Sequence, residues 1–344
     1  MLSLWAGFAI GIVFGVTGQR TGFCLNTGFR GYWITGDGRK LRAFALALAI
    51  AILFTQAIEA AGIIDLRRSI YVSSPLSWLV IPLGGGMFGY GMIASNGCGS
   101  RAVVLLGQGN LRSFVVLLCL GIAAYIALSG LLAPVRIALT GATTIAFDKL
   151  PSIPRYLEGT LSAAGARLIP ALALSMALAA FALGSAAFRA STRDVVGGVI
   201  VGLLIVAGWL ATGYLGADDF EPAPIASLTF IAPVGETIQY AMLATGARAS
   251  FGVAVVSGVF IGALISAFST RSYDLQGFSR PTQMLRYMAG GALMGAGGAM
   301  ALGCSIGQGL TGLSTLAFGS FLAAGGIILG AYLGLRGPLK LPPL

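Results

Sequence analysis

Long apolar runs alternate with short polar segments along most of this chain, which predicts an all-α membrane protein. A membrane-spanning helix needs about 20 predominantly apolar residues. Nine runs come close to that length, although several are short or interrupted by glycine. They cover residues 2–18, 43–63, 77–95, 112–133, 161–188, 194–213, 251–269, 286–302 and 314–335.

Two of these runs nearly repeat each other at a constant offset of 206 residues. Residues 84–91 (GGGMFGYG) lead to a Gly-Cys pair at 97–98, and residues 290–297 (GGALMGAG) lead to another at 303–304. In each copy a glycine-rich apolar segment breaks at the Gly-Cys pair and then resumes. Duplicated membrane segments with broken helices point to a transport site near the bilayer midplane.

The odd number of predicted spans implies that the two copies are inverted relative to each other. Spans one to four and six to nine form two sets of four, and the fifth span lies between them. We therefore predict one membrane domain (1–344), with a first repeat at 1–133, a connecting span at 134–193 and a second, inverted repeat at 194–344. The re-entrant loops are expected to meet centrally, since non-helical backbone at that depth needs protein or a polar cavity around it.

The basic residues are distributed unequally between the two sets of loops. Loops 19–42, 96–112, 189–193 and 270–286, with the tail after 335, hold 14 of the 21 Lys and Arg residues, and the alternating set holds seven. Cytoplasmic loops carry the excess of positive charge. We therefore predict the N-terminus outside and the C-terminus inside. The net charge of +10 is explained mainly by this orientation, with a smaller share for attracting an anion, and not by nucleic-acid binding.

Composition excludes several classes of enzyme. Hydrophobic residues make up 57% of the chain and charged residues only 9%, compared with about 25% charged in soluble domains. The absence of histidine removes His-dependent proteases, most zinc sites and imidazole proton relays. No Walker-type phosphate-binding loop is present either. We expect a transport protein and not an enzyme, with no metal and no cofactor.

The four cysteines do not share one role. They lie at 24, 98, 119 and 304 and form no Cys-x-x-Cys motif. Cys119 lies in a plain apolar run and is read as a packing residue. A single Gly-Cys pair could be a small residue tolerated beside glycine, but two pairs in register, with Cys24 in a similar broken segment, favour a role in transport.

The second half lacks a counterpart of Cys24. The loop after the sixth span contains no cysteine, and residues 231–239 are its candidate re-entrant stretch. We therefore expect the two halves to share their architecture but not their chemistry.

The sequence around the Gly-Cys pairs suits an anion that contains soft sulfur. If each pair opens a helix, unpaired backbone N–H groups and the positive end of the helix dipole favour an anion there. A neutral thiol is a weak donor and a polarisable neighbour, better matched to sulfur than to a hard oxyanion. The candidate pathway residues are Cys24, Cys98, Cys304, Gly97, Gly99, Ser100, Gly303, Ser305, Arg20 and Arg101.

Other charged residues are weaker candidates. Arg20, Arg30 and Arg101 flank the cysteine loops, but orientation of the chain explains them about equally well. Glu59 lies within the second predicted span, where a carboxylate is costly unless it is functional or reaches the interface. Glu236 is a candidate for holding the re-entrant stretch together.

Three segments resemble the YeeE/YedE sulfur-transport family: residues 19–30 around Cys24, residues 96–113 and residues 302–312. The resemblance implies a bacterial inner-membrane protein that imports thiosulfate through an hourglass-shaped core. It also implies that Cys24, Cys98 and Cys304 are the pathway cysteines, and that a small cytoplasmic TusA-like sulfur carrier is a partner. Residues 107–113 resemble the YedE-like branch more closely, for which selenium-related transport has been suggested.

The leading prediction is uptake of thiosulfate or a similar reduced sulfur anion, passed between thiols without bond making. Transport of another soft species, such as sulfite or a selenium compound, is the alternative within the same class. The alternative from another class is a membrane thiol–disulfide enzyme that uses Cys98 and Cys304 as a redox pair. The missing Cys-x-x-Cys motif argues against that enzyme.

Overall fold

The computed structural model describes residues 1–147, 149–160, 162–216 and 225–342, and all regular elements in these residues are helical. A 3₁₀ turn covers Leu66–Arg68, and π-helical segments cover Gly31–Thr35 and Gly307–Gly312. The α-helices are α1 (Leu2–Thr21), α2 (Leu25–Arg30), α3 (Arg39–Ala60), α4 (Ile70–Ser73), α5 (Val80–Ala94), α6 (Gly99–Gly107), α7 (Leu111–Leu128), α8 (Ala133–Ala142), α9 (Ile153–Leu157), α10 (Ala163–Leu183), α11 (Ala186–Arg189), α12 (Thr192–Gly213), α13 (Ala232–Leu243), α14 (Phe251–Ser269), α15 (Pro281–Met300) and α16 (Phe318–Leu335).

Seven helical segments in the described residues are long and apolar enough to cross a membrane, which confirms the predicted all-α membrane class. They coincide with seven of the nine predicted spans. The other two predicted spans correspond to α5 and α15. With 15 residues, α5 is about 22 Å long at 1.5 Å per residue, short of a membrane's roughly 30 Å core. A count of nine crossings stays a prediction.

The two glycine-rich repeats pack directly against each other as α5 and α15. A Cβ atom added at Gly91 would lie 2.6 Å from the carbonyl oxygen of Gly290, and one added at Gly297 would lie 2.6 Å from that of Gly84. The residue numbers run in opposite directions along this contact, so the helices are antiparallel. Glycine is required because the two backbones leave no room for a side chain.

Equivalent glycines of the two repeats also make equivalent outer contacts. A Cβ atom at Gly85 of α5 would lie 2.5 Å from the carbonyl oxygen of Ala323 in α16. The matching Gly291 of α15 faces α7, where the corresponding distance to the Val116 oxygen is 2.7 Å. The four helices α16, α5, α15 and α7 therefore form one close-packed row.

The outer helices of the two halves run in opposite directions. Gly197, near the start of α12, lies against Thr21 at the end of α1, and Gly216, just after α12, lies against Ser3. Helix α1 of the first half matches α12 of the second, and α3 matches α14. The contact of α1 with α14 therefore has an equivalent in the contact of α12 with α3. This direction reversal is what an inverted repeat requires, while the inverted layout and its boundaries at 1–133, 134–193 and 194–344 stay predictions.

The bundle has two ends, which we name the N-terminal end, containing Met1, and the C-terminal end, containing Leu335. The two predicted sets of loops lie at opposite ends. At the C-terminal end Lys40 donates to the carbonyl of Thr21, and Arg112 Nε donates to that of Gly277 at 2.6 Å. The excess of basic residues therefore gathers at the C-terminal end, and the orientation of this end toward the cytoplasm stays a prediction.

We predict that Gly91→Leu and Gly297→Leu destabilise the protein by at least about 1–3 kcal/mol each, because a side chain there overlaps the backbone of the neighbouring helix. Thermal unfolding of the purified protein in detergent measures this effect. The matched control is Gly325→Leu in α16, where an added Cβ meets nothing within 4 Å. Equal melting temperatures for all three variants and the wild type would show that the α5–α15 contact is not tight.

Candidate functional site

Cys24 lies at the first break, between α1 and α2. Gly22 ends α1 in the left-handed conformation, with φ +65°, and its N–H donates to the carbonyl of Gly18. This turn brings Cys24 to the position that caps α2, and Phe23 stacks on Phe44 beside it. The first break thus presents a buried thiol, 4% exposed, at the start of a short helix.

The second and third breaks share one backbone geometry, again at an offset of 206 residues. Asn96 and Leu302 both adopt a left-handed conformation, with φ +57° and +59°. The N–H of the next residue then donates to the carbonyl five residues back across the turn, from Gly97 to Met92 at 3.1 Å and from Gly303 to Gly298 at 2.8 Å. This is a Schellman-type helix end.

The left-handed residues are therefore not the glycines of the Gly-Cys pairs. The sequence placed the breaks at those pairs, but the helices already end at Ala94 and Met300, and the left-handed residues that follow the caps are Asn96 and Leu302. Gly97 and Gly303 follow the turn, and Gly99 packs against the side chain of Leu120 and against Phe230.

The similarity between the two copies ends at the cysteines. Cys98 caps α6, a regular helix of nine residues, as predicted. Cys304 is followed instead by a turn and the π-helical segment Gly307–Gly312, and its sulfur accepts a hydrogen bond from the N–H of Gly307 at 3.2 Å. The condition that each Gly-Cys pair opens a helix is therefore met at Cys98 but not by an α-helix at Cys304. The run of small residues at 303–312 permits the wider turn.

The three breaks bring their thiols together inside the bundle. The Sγ atoms of Cys24 and Cys98 are 3.9 Å apart, and Cys98 Sγ lies 3.3 Å from Ser100 Oγ. Cys304 lies within electrostatic range of Cys98. All three thiols are free, and Cys98 and Cys304 are only 1% exposed. We call these three residues the thiol cluster.

Several polar groups around the thiol cluster have donors or acceptors that are available to a ligand. Ser305 is fully buried with its hydroxyl group beside the thiol of Cys98, and its Oγ atom makes no hydrogen bond to any other described residue. The first N–H groups of α6 have no partner within the helix. Gln308 donates to the carbonyl of Ala301, while its own Oε1 is buried without a described partner.

The two predicted arginines occupy different places. Arg101 donates to the carbonyl of Gly18 at 3.1 Å, which ties α6 to α1, and its charge acts on Cys24. Arg20 is exposed at the C-terminal end and contacts Ser266 at 3.4 Å. The structure thus brings Arg101, but not Arg20, next to the thiol cluster.

The segment before α13 completes the site from the second half. Ile231 precedes α13 as Cys24 precedes α2, and Phe230 borders Gly99 and directs its backbone N–H toward the thiol of Cys304. Sequence reasoning identified residues 231–239 as re-entrant but missed Phe230 and the buried Gln308. An uncharged polar residue in the middle of an apolar run, such as Gln308, was the available signal.

A cavity of about 760 Å³ opens beside this segment at the N-terminal end. Its lining includes Ser227 and Thr229, and the Thr229 Oγ1 atom would lie 2.5 Å from a Cβ atom added at Gly307. Glu236 also lines the cavity and accepts a hydrogen bond from Ser250 at 2.6 Å, which joins α13 to α14. One residue of the cavity wall, Thr229, therefore contacts the π-helical segment that follows Cys304.

The remaining sequence candidates have structural explanations. Glu59 is paired with Arg155 at 3.6 Å and with Arg167 at 4.0 Å, a contact that joins α3 to α9 and α10. Cys119 is partly exposed on α7, where it packs near Gly291 of α15. Neither residue belongs to the thiol cluster.

Known proteins are similar to this sequence over nearly the whole chain. The family model described as sulphur transport matches residues 20–333, a range that includes the thiol cluster. The chain is 25% identical over 337 residues to the thiosulfate transporter TsuA of Escherichia coli (strain K12), covering 95% of this chain and 92% of that protein. It is 26% identical over 349 residues to the thiosulfate transporter TsuA of Spirochaeta thermophila, covering 95% and 96%.

We predict that the left-handed turns tolerate glycine but not β-branched residues. Asn96→Gly should leave the melting temperature unchanged or higher, while Asn96→Val should cost at least about 1–2 kcal/mol because a branched Cβ clashes in this conformation. Differential scanning fluorimetry of the detergent-solubilised protein measures both. Leu302→Gly and Leu302→Val test the second copy, and equal stability of the Gly and Val variants would contradict the turn geometry.

Proposed function

The chain belongs to the sulphur transport family, and we propose that it takes up thiosulfate, or a closely similar reduced sulfur anion, across the bacterial inner membrane. The family consists of transporters and not of enzymes, so a membrane thiol–disulfide enzyme is not supported. The names of the two similar proteins support thiosulfate as the substrate.

The thiol cluster is the observation that carries this proposal. Cys24 and Cys98 place their sulfur atoms 3.9 Å apart, and Cys304 approaches from the other half of the chain. Breaks in helices at membrane depth are tolerated only where the freed backbone is packed in protein or lines a polar cavity. Three buried thiols at three breaks in an otherwise apolar bundle therefore favour a substrate that thiols can contact.

Thiosulfate has two chemically different ends, and the site offers a partner for each. Its terminal sulfur is soft, and a neutral thiol is a polarisable neighbour with a weak S–H donor. Its three oxygen atoms are hard acceptors, which suit the free N–H groups of α6 and the hydroxyl groups of Ser100 and Ser305. Sulfate lacks the soft end and gains nothing from the thiols.

The substrate passes the thiols without forming a covalent bond. A thiolate would repel the anion, and burial in an apolar bundle disfavours an ionised cysteine. We therefore propose neutral thiols as the working form. The anion moves from Cys304 to the pair Cys98 and Cys24 as its weak contact with the first thiol is replaced by weak contacts with the other two.

The cavity at the N-terminal end supplies the access route. Its wall residue Thr229 contacts Gly307, three residues after Cys304, and on the proposed route the pair Cys24 and Cys98 follows on the side of the C-terminal end. Uptake along this route requires the N-terminus outside and the C-terminus in the cytoplasm, as the basic residues predict. A small TusA-like sulfur carrier at the cytoplasmic end is the proposed partner.

Sulfite or a selenium compound is the second candidate substrate. The segment at residues 107–113 favours it, through its resemblance to the YedE-like branch. The thiol cluster is compatible with selenium because a selenium atom is also soft.

We predict that uptake of ³⁵S-thiosulfate by cells expressing the protein falls about ten- to hundredfold for Cys98→Ser and Cys304→Ser, and appreciably for Cys24→Ser. Serine keeps the size and a donor but replaces soft sulfur by hard oxygen. The lost contact between the thiol sulfur and the anion is taken to be comparable to one hydrogen bond to a charged group, about 1.5–3 kcal/mol, which corresponds to this range.

Cys119→Ser is the matched control, since Cys119 lies on α7 outside the thiol cluster, and it should keep near-normal uptake. Each variant is compared at equal membrane expression. Normal uptake by the variant in which Cys24, Cys98 and Cys304 are all replaced by serine would contradict the proposed mechanism. Unlabelled sulfite and selenite, added as competitors, identify the alternative substrates.

A further inference from the structure

A second, strongly basic cavity lies at the C-terminal end of the bundle. It has a volume of about 370 Å³ and lies between the end of α2, the end of α5, the start of α15 and the chain after α16. Four cationic side chains line it: Arg30, Arg286, Arg336 and Lys340. We call this space the basic cavity.

Among the described residues that line the basic cavity, none neutralises its positive charge. Within the described part of the chain, no Asp or Glu lines the cavity and no salt bridge reaches any of its four cations. Arg30 and Arg286 are half-buried and close enough to repel each other. Holding like charges together in this way is unfavourable unless an anion compensates them.

Both half-buried arginines retain unused donors. The Nε atoms of Arg30 and Arg286 are buried and have no hydrogen-bond partner among the described residues. A guanidinium group has five N–H donors in a fixed fork that matches an oxyanion. Buried donors without partners are costly, so these atoms point to a ligand that accepts hydrogen bonds.

The basic cavity is held in shape by contacts that do not use all its donors. Arg30 donates to the carbonyl of Ile93 at 3.0 Å, and Arg286 Nη1 donates to that of Pro342 at 2.6 Å. The tail is fixed by the N–H of Leu341, which donates to Gly334 at 3.0 Å. A site ordered before binding loses less free energy when its ligand arrives.

Short elements join the basic cavity to the thiol cluster. Helix α2 begins after Cys24 and ends at Arg30, a rise of about 9 Å over six residues. Ile93, which fixes Arg30, lies five residues before Cys98 on the same broken segment. The basic cavity therefore lies next to the two thiols, toward the C-terminal end.

We propose that the basic cavity is a second anion site, which binds the oxyanion end of the transported sulfur anion after it leaves Cys24 and Cys98. This inference rests on the proposed transport of such an anion. The described lining contains no thiol, so the basic cavity should not distinguish thiosulfate from sulfate. A phospholipid headgroup carries the same tetrahedral oxyanion chemistry and is the other possible source of the ligand.

Equilibrium binding of ³⁵S-thiosulfate to the full-length protein in phosphatidylcholine nanodiscs tests this proposal. We expect two anions per wild-type chain, one of which is displaced by unlabelled sulfate. Arg286→Gln should weaken the sulfate-sensitive site about tenfold or more. Arg336→Gln and Lys340→Gln should weaken it several-fold, and because both side chains are exposed these two variants avoid a folding defect. The control Arg280→Gln removes an exposed charge from the same end without touching the cavity and should bind like the wild type.

The outcomes separate this proposal from the function it rests on. If the wild type binds a single anion that sulfate does not displace, and Arg286→Gln does not change this binding, the proposal for the basic cavity is wrong. The proposal for the thiol cluster is not affected by that result. Two unchanged sites in Cys98→Ser contradict the thiol mechanism and not the basic cavity. If an anionic phospholipid co-purifies with the wild type but not with Arg286→Gln, and sulfate does not compete, the cavity is a lipid site and the proposal is wrong.

Discussion

The direct backbone contact between α5 and α15 is the constraint on which the rest of the structure depends. Gly91 faces the backbone of Gly290 and Gly297 faces that of Gly84, so no side chain separates the two helices. Since the helices are antiparallel, their broken ends leave toward opposite ends of the bundle. The loops that follow turn inward and place Cys98 and Cys304 near each other.

The two halves of the chain share their broken-helix scaffold but differ in the cysteines that it carries. The left-handed turns at Asn96 and Leu302 are the same structure used twice. In the first half, however, the neighbouring break offers the thiol of Cys24, while in the second half the corresponding position before α13 is Ile231. The soft contacts are thus concentrated on one side of the centre. On the proposed route, this asymmetry offers the anion two thiols after the first, Cys304.

The sequence alone predicted the features that its repeated composition indicates: the two glycine-rich segments with their breaks, the helical class and the grouping of the basic loops. It did not predict where the helices end. Leucine has no preference for a left-handed conformation, and the turn at Leu302 is stabilised instead by the hydrogen bond from the N–H of Gly303 to the carbonyl of Gly298. It missed the ion pairs of Glu59, since the partners Arg155 and Arg167 lie about 100 residues away. It missed the basic cavity for the same reason, because tertiary packing alone brings its arginines together.

Protection of the thiols by substrate tests the central claim most directly, that the anion lies against the thiol cluster. The measurement is the rate at which N-ethylmaleimide modifies Cys98 in the purified protein, relative to Cys119 in the same chain, determined by mass spectrometry. Cys119 lies outside the thiol cluster and corrects for consumption of the reagent. The account predicts that thiosulfate slows modification of Cys98 about tenfold at saturation while equal sulfate leaves it unchanged. Equal rates for Cys98 in thiosulfate and in sulfate would contradict it.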